Sequence, residues 1–346
     1  MGKKSTSSTL EKSKAYLERP EKVAKADERF LHVMAITLDP RSKYKEGIIR
    51  CVVSRKGSVQ VAGYVDRSVL HHVRGDSLEH FNIKNRLVIK NETKIIDQIG
   101  GKDGDFIGLE DPDIWIDKKS KLTHVYFTIP LLNKTNNQTL IHLGHAVGRN
   151  LNTLQMTMPV LMAKEGFNGA KEVSIAPLNK QGFRYNLVES AERGKDFWYS
   201  TVRVAVAHNM AKPWEYGDTV FHPAKHNISW IGGHASPGPL LPRTFIEVGK
   251  GKRLGILNGR EANRKTGDKI EYGMFSVGLF IYDYEKGKID WVSTKPFIQD
   301  SQAKTITFAS QFVETGAGAG ILYAHVDDSF VRPYSLNANL IKSLLP

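Results

Sequence analysis

The feature that most constrains the fold of this chain is a succession of short strand-type segments separated by turns. Apolar or alternating runs follow one another from about Phe30 onward, at Ile48–Val53, Val59–Tyr64, Leu122–Leu132, Thr139–Val147, Phe197–His208, Phe275–Tyr284 and Gly320–Val326. Doubly wound α/β folds and TIM barrels need a helix after each strand, and no such helical pattern intervenes here. The pattern therefore predicts an all-β barrel, sandwich or propeller. Roughly 320 strand-rich residues, divided into four-stranded sheets, favour a β-propeller of about five blades.

The first 28 residues differ from the rest of the chain. They contain a Ser/Thr-rich stretch (Ser5–Thr9), few apolar positions and Pro20, which would interrupt a continuous helix. We expect one or two short helices or disorder there. The chain is accordingly divided into a basic N-terminal extension (residues 1–28) and a single domain (residues 29–346).

Composition narrows the partners and the location. Cys51 is the only cysteine, so we expect neither a disulfide nor a cysteine-ligated metal, and no cofactor motif is present. The absence of an apolar run of about 20 residues, and of an apolar N-terminal signal, leads us to expect a cytoplasmic protein without a membrane partner. The net charge is +13, of which +8 falls in residues 1–100. Without an RNA-binding or zinc-finger signature this charge does not predict a nucleic-acid partner, and it leaves oligomerisation open.

One segment concentrates acidic side chains among apolar ones. Residues 103–117 read DGDFIGLEDPDIWID and contain six acidic residues and no basic one. Carboxyl groups held close together raise one another's pKa, which suits a group that must donate a proton near neutral pH. Pro112 restricts the turn, and the nearby Trp115 offers a surface on which a sugar could stack. A proton donor for glycosidic cleavage and a solvated acidic turn both fit this segment.

Four motifs in a fixed order resemble glycoside hydrolase family 130. GLEDPDIW resembles the GxEDPR-type motif of that family, and IGGHASPGPLLPRT (231–244) is similar to its glycine- and proline-rich segment. YGMFSVGLFIYDYEKGKIDWVSTKPFI and ILYAHVDDSF resemble two later strand regions. The order holds from roughly residue 60 to 335. The resemblance implies a five-bladed β-propeller that acts on β-mannosides with inversion, as a hydrolase or a phosphorylase.

The resemblance also implies roles for individual residues. Asp111 corresponds to the general acid of the family, and Glu110 beside it would contact sugar or adjust the pKa of the acid. Asp327 or Asp328 corresponds to a late carboxylate that binds sugar hydroxyls. His234, within GGHASPG, is either a sugar contact or a buried structural histidine.

Two departures from the family pattern bear on the reaction. Asp113 stands where the family has an arginine, and Asn258 replaces the histidine of a His-Gly pair that helps to hold phosphate. Lys171 and Arg243 are the remaining candidate phosphate ligands. Because a phosphate dianion needs several fixed cations or donors, the incomplete set favours hydrolysis.

An inverting hydrolase also needs a second carboxylate that activates water, about 6.5–9.5 Å from the acid. Glu261 and Glu172 are the leading candidates, and Glu189 and Glu314 are weaker ones. We therefore expect an inverting glycoside hydrolase for β-mannosidic or related linkages, with an oligosaccharide or glycoside as substrate. A phosphorylase using inorganic phosphate, a glycan-binding propeller without catalysis, and a basic scaffold for an anionic partner are the alternatives.

Overall fold

A computed structural model describes residues 15–61, 63–102, 104–134, 139–163, 169–195, 197–267 and 269–346. Asp103 and residues 1–14 of the N-terminal extension lie outside this description. The strands are β1 (Tyr16–Glu18), β2 (Ala24–Lys25), β3 (His32–Leu38), β4 (Glu46–Lys56), β5 (Val65–Ser77), β6 (His80–Arg86), β7 (Gly104–Phe106), β8 (Glu110–Ile116), β9 (Thr123–Asn133), β10 (Thr139–Gly148), β11 (Gln155–Met156), β12 (Ala170–Ser174), β13 (Arg184–Arg193), β14 (Trp198–Ala207), β15 (Glu215–Phe221), β16 (His234–Leu240), β17 (Lys252–Arg260), β18 (Arg264–Thr266), β19 (Lys269–Glu271), β20 (Phe275–Asp283), β21 (Lys288–Val292), β22 (Thr307–Gly316), β23 (Ala319–Val326) and β24 (Phe330–Asn337). The α-helices are α1 (Glu92–Gly100) and α2 (Ala338–Lys342).

All strands except β18 and β19, which pair with each other as a separate hairpin, form five antiparallel units in chain order. Sheet 1 is β3–β6, sheet 2 is β7–β11, and sheet 3 is β12–β15. Sheet 4 contains β16, β17, β20 and β21, and it is joined to sheet 3 by one parallel bridge between Ser200 and His234. Sheet 5 contains β22–β24 together with β1 and β2 from the other end of the chain. Consecutive strands pair through short turns, as the hairpin pattern of the sequence predicts.

Apolar side chains pack between each pair of neighbouring sheets. Sheets 1 and 2 share a core that includes Ile48 and Phe127, and sheets 2 and 3 share one that includes Tyr126 and Val188. Further cores join sheets 3 and 4, sheets 4 and 5, and sheets 5 and 1. Both faces of the middle strands are therefore covered, which explains why segments such as β9 are buried along most of their length.

One strand of each sheet contacts its counterparts in the neighbouring sheets, and in sheet 2 this is the second strand, β8. We call β3, β8, β12, β16 and β22 the inner strands. Contacts join β3 to β8, β8 to β12, β12 to β16, β16 to β22, and β22 back to β3. Each inner strand also shows a register shift against its partner, between Met34/Ile36, Glu110/Asp113, Lys171/Val173, Pro237/Leu240 and Ala309/Gln311. Such bulges re-aim side chains next to functional sites.

Three residues at these register shifts adopt a left-handed backbone. The φ angles of Ala35, Asp111 and Glu172 are 48°, 47° and 49°. A non-glycine residue in this region costs about 1–2 kcal/mol, so the surrounding sheets must fix the conformation. Two of the three carry a carboxyl group, which places acidic side chains where the inner strands meet.

The predicted all-β class is confirmed, with two local differences. Where short helices or disorder were expected in the N-terminal extension, Tyr16–Glu18 and Ala24–Lys25 pair as strands with β24. The sequence pattern did not predict helix α1. The helix has nine residues, and Ile96 is the one that is buried in the core. No helix among the described residues is long and apolar enough to span a membrane.

Candidate active site

A central cavity of about 360 Å³ opens where the inner strands begin. Its walls combine acidic, basic and aromatic side chains. The acidic ones are Asp66, Asp111, Glu172 and Asp328, the basic ones are Arg50, Lys171, His234, Arg260 and His325, and the aromatic ones are Tyr64, Phe197, Trp198, Tyr199, Tyr272, Phe275 and Phe308. Aromatic faces with a few convergent polar groups are typical of sites for small polar ligands such as sugars.

Asp111 is held at this cavity by a buried arginine. Its Oδ1 lies 2.8 Å from Nη1 of Arg50, and Nη2 of the same guanidinium lies 2.5 Å from Oε1 of Glu110. The Arg50 Nε donates to Ser68 Oγ at 2.9 Å, which fixes the plane of the guanidinium. Desolvation, reinforced by the charge of Asp111 and opposed by Arg50, raises the pKa of Glu110 to about 7. The EDPD segment is therefore an organised acidic centre around one cation.

Glu172, at the register shift of the neighbouring inner strand, lines the central cavity together with Asp111. Desolvation and the charge of Asp111 raise the pKa of Glu172 well above its usual range, although Lys171 opposes this effect. The role of Glu172 as the base of an inverting reaction stays a prediction.

Lys171 and His234 converge on a second buried carboxylate, Glu189. Lys171 Nζ lies 3.3 Å from Glu189 Oε1, and His234 Nε2 lies 3.0 Å from Glu189 Oε2. Although desolvation opposes ionisation, His234 and Lys171 lower the pKa of Glu189 below its usual range. Desolvation lowers the pKa of His234, despite the charge of Glu189 beside it. Both predicted ligands thus line the cavity, but Glu189 already engages them.

Asp327 and Asp328 are separated by the fold. Asp328 lines the cavity, and its Oδ1 lies 3.1 Å from Nε2 of His325. Desolvation opposes ionisation of Asp328, but the hydrogen bond and the charge of His325 lower its pKa. Asp327 instead accepts backbone N–H groups of residues 304–306 at 2.8–3.1 Å, so it holds a turn and is not among the cavity residues.

Glu110, which reaches Arg50 from behind Asp111, and four further predicted site residues also lie outside the central cavity. Arg243 is on the surface, where it pairs with Glu247 at position i+4. The Glu261 side chain is 46% exposed, and its carboxylate accepts the N–H of Met274 at 3.3 Å. Asp113 points to a second cavity of about 180 Å³, which shares Asp111 and Glu172 with the central one. Desolvation, opposed by the backbone N–H of Ile114, raises the pKa of Asp113 to about 7.

Asn258, the fourth of these residues, is a structural clamp. It is fully buried, its Oδ1 accepts the N–H of Ala309 at 2.8 Å, and its Nδ2 donates to the carbonyl of the same residue at 3.0 Å. A Cβ at the following Gly259 would collide with the ring of Trp230. The Asn-Gly pair therefore ties β17 to the first strand of sheet 5, and it does not face a ligand.

Two cavity cations were missed from the sequence. Arg50 interrupts the apolar run IIRCVV, and Arg260 ends the apolar strand β17; a charge inside such a run is the signal that could have found them. The Arg260 guanidinium lies 3.8 Å from the ring centroid of Tyr272 and donates to Asn263 Oδ1 at 2.9 Å. Among the described residues it forms no ion pair with a carboxylate. Within the same part of the chain, no group of three or more His, Cys, Asp or Glu is arranged to hold a metal.

Comparison with known proteins shows similarity in structure but not in sequence. No protein-family model and no curated protein matches the chain. A β-1,2-mannobiose phosphorylase from Listeria innocua, solved with β-1,2-mannobiose, is similar at a TM-score of 0.59 and 13% identity, covering 93% of this chain and 95% of its own. A mannose phosphorylase from Leishmania mexicana, solved with phosphate, is similar at a TM-score of 0.52 and 12% identity, covering 94% of this chain and 92% of its own. A glycoside hydrolase is similar at a TM-score of 0.58 and 9% identity, covering 92% of each chain. The resemblance predicted from the motif order is confirmed at the level of the fold, which by itself does not establish an activity.

Proposed function

We propose that this protein is a five-bladed β-propeller enzyme, a divergent relative of glycoside hydrolase family 130, that hydrolyses β-mannosidic or related linkages with inversion. The observation that carries the proposal is the position of Asp111. It stands at a strained bulge on the wall of an aromatic-lined cavity, is fixed by Arg50, and shares that wall with Glu172. Residues 29–346 would form the catalytic domain, with β1 and β2 completing the fifth sheet.

The propeller architecture is supported by the order of contacts between the sheets. Every inner strand contacts the inner strand of the next sheet, including β22 with β3, and an apolar core fills each of the five junctions. Sheet 5 also combines strands from the beginning and the end of the described chain, because β1 pairs with β24. Five four-stranded blades around one axis would account for all three observations.

In the proposed reaction, Asp111 protonates the glycosidic oxygen while the bond from that oxygen to the anomeric carbon breaks. Arg50 keeps the carboxyl group in place, and the aromatic residues of the cavity flank the sugar rings. Asp328 is our candidate for the base. It lines the same cavity, and its lowered pKa keeps it ionised at neutral pH. It would accept a proton from the water whose oxygen attacks the anomeric carbon from the opposite side.

The balance of charge favours water over phosphate as the acceptor. Four cations (Arg50, Arg55, Lys171 and Arg260) stand in or beside the cavity wall. Against them stand four carboxylates (Asp66, Asp111, Glu189 and Asp328), before Glu110 and Glu172 are considered. A phosphate dianion would enter a site whose cations are largely compensated, and losing its hydration there is costly. Phosphorolysis is the second candidate, because the guanidinium of Arg260 has no carboxylate partner among the described residues.

Product analysis tests the proposal directly. The purified protein is incubated with β-linked mannobioses, with and without inorganic phosphate, and the anomeric configuration of the first product is followed by NMR. We expect phosphate-independent release of α-mannose. Asp111→Asn should lower kcat by about 10²–10⁴-fold, the usual contribution of a general acid. Asp105→Asn is the matched control, because this residue of the same segment only forms an exposed pair with Arg67.

Other outcomes would separate the alternatives. Phosphate-dependent formation of mannose 1-phosphate would replace hydrolysis with phosphorolysis. Oligosaccharide binding detected by calorimetry, without turnover in either condition, would indicate a glycan-binding propeller. Undiminished activity of Asp111→Asn would show that the acid has been misassigned.

A further inference from the structure

One side of the central cavity differs from the others in charge. Sheets 1, 2, 3 and 5 each contribute a carboxyl group to the cavity wall, and these are Asp66, Asp111, Glu172 and Asp328 in that order. The remaining side is formed by sheet 4 and by the segment between β17 and β20. We call it the sheet 4 wall; its residues are His234, Arg260, Asn263, Ile270, Tyr272 and Phe275. Among the described residues, this wall contains no carboxyl group.

Arg260 is a buried cation of this wall that lacks a counter-charge. The other basic side chains of the cavity have carboxylate partners: Arg50 pairs with Asp111, Lys171 and His234 with Glu189, and His325 with Asp328. Arg260 is 6% exposed, and no described carboxylate lies within ion-pair distance of it. Its Nε has no hydrogen-bond partner in the same part of the chain. Because an unpaired buried charge is costly, this position suits a ligand that brings a negative charge.

The guanidinium of Arg260 is held in place before any ligand binds. It lies 3.8 Å from the ring centroid of Tyr272 and 5.2 Å from that of Phe275, and its Nη2 donates to Asn263 Oδ1 at 2.9 Å. The backbone N–H of Tyr272 donates to the carbonyl of Gln60 at 2.9 Å, which ties this segment to the turn between β4 and β5. A cation that is already oriented loses little freedom when it binds a ligand.

We propose that Arg260 binds a singly charged substituent of the sugar substrate, either the carboxylate of a uronic acid or a sulfate ester. The planar guanidinium matches the oxygens of such a group, and the faces of Tyr272 and Phe275 offer contact to the sugar ring that carries it. Arg260 is then a specificity-determining residue that takes no part in bond cleavage. The inference rests on the proposed function, because that function makes the ligand a glycan.

Inorganic phosphate is the competing anion at this position. It is largely a dianion at neutral pH, whereas Arg260 supplies one positive charge. The nearby cation Lys171 lies 3.3 Å from Glu189 Oε1 and is already compensated. A single unpaired guanidinium therefore fits a monoanion better than a dianion, and phosphate becomes an outcome of the test.

Matched disaccharides test the charge preference by calorimetry. The probes are β-1,4-mannobiose, its two analogues in which one ring carries a carboxylate in place of the C6 hydroxymethyl group, and the two corresponding 6-sulfates. We expect one carboxylate analogue or one sulfate to bind the wild-type protein about 10–100-fold more tightly than mannobiose, as for a hydrogen bond between charged groups. Which of the two binds identifies the substituent.

Variants of Arg260 assign the preference to this residue. Arg260→Gln should bind charged and neutral disaccharides alike, and Arg260→Lys, which keeps the charge, should retain part of the preference. The lysine variant also keeps the inference testable if the glutamine variant does not fold. Arg264→Gln is the matched control, because it removes the same charge from a nearby side chain that is 76% exposed and is not among the cavity residues. Its preference should equal that of the wild-type protein.

Three results would overturn the inference. The first is a wild-type protein that binds no charged disaccharide more tightly than mannobiose. The second is a preference that survives in Arg260→Gln. The third is phosphate-dependent cleavage in which Arg260→Gln raises the KM for phosphate, since this would place the acceptor anion at Arg260.

Binding is measured without turnover, so this inference and the proposed function fail separately. If the protein hydrolyses mannobiose but shows no preference for charge, the inference is wrong and the proposed function stands. If a charged disaccharide binds through Arg260 and none of the five probes is cleaved, the proposed hydrolysis is wrong and the role of Arg260 stands.

Discussion

Asp113→Asn should make the protein more stable, with a larger gain at alkaline pH than at pH 5. Asp113 belongs to the inner strand β8, faces the second cavity, and forms no ion pair with any described residue. Desolvation, partly opposed by the N–H of Ile114, raises its pKa from the ordinary 3.8 to about 7. The neutral carboxyl group is thus favoured in the folded protein. Its contribution to stability is complete below the ordinary pKa of 3.8, is lost progressively as the pH rises from there, and is gone above about pH 7.

The size of the effect follows from the same shift. One pKa unit corresponds to about 1.4 kcal/mol, so full ionisation against this pKa would cost about 4 kcal/mol. The residue is only partly buried, so solvent screens part of this cost. We therefore expect the free energy of unfolding of Asp113→Asn to exceed that of the wild-type protein by about 2 kcal/mol at pH 8.5, after allowance for that screening. An asparagine side chain has the same shape and no charge, so the variant avoids this cost.

Urea unfolding of both proteins at pH 5, 6.5 and 8.5 measures the difference in the free energy of unfolding. Asp117→Asn is the control from the same strand region. The Asp117 carboxylate accepts hydrogen bonds from Ser120 and Lys119, which lower its pKa, so its replacement should cause a small loss that stays constant from pH 5 to 8.5. A destabilised Asp113→Asn at pH 8.5, or a difference independent of pH, would refute the reasoning.

Two further variants test the structural clamp and the candidate base. Asn258→Ala should lower the free energy of unfolding by about 2–3 kcal/mol, because it leaves the buried N–H and C=O of Ala309 without partners. Urea unfolding measures this loss. A loss below about 1 kcal/mol would contradict the role of Asn258 as a clamp. Asp328→Asn should reduce kcat for hydrolysis by about 10²–10⁴-fold. Added azide should restore cleavage of an activated glycoside, because azide attacks the anomeric carbon in place of water and needs no base. Loss without azide rescue would instead make Asp328 a sugar-binding residue.

The fold class could be predicted because strand formation depends on local patterns. The runs at Leu122–Leu132 and Thr139–Val147 became β9 and β10, and Phe275–Tyr284 became β20. The alternation of side chains along a strand can be read from neighbours in the sequence. Helix α1 was not predicted from the sequence, because nine residues with few buried positions give a weak periodic signal.

The site could be predicted only in part. The EDPD segment attracted attention because three acids in four residues are costly to enclose, and Asp111 does face the central cavity. Glu261 and Arg243 were selected for their charge and for their proximity to motifs, yet one is half exposed and the other lies on the surface. Charge and spacing identify candidates, but they do not tell whether a side chain faces the central cavity or the solvent.

By itself, the sequence determined the strand-and-turn composition of this protein and the acidic segment that reaches the central cavity. Only the tertiary structure decided which groups meet there. Asp111 and Glu172 are far apart in the chain, and they line one cavity because the inner strands that carry them are in contact. Arg50 reaches Asp111 from a different sheet. Such contacts depend on how whole sheets pack around a common centre, and a pattern that repeats every two residues contains no information about the register between sheets.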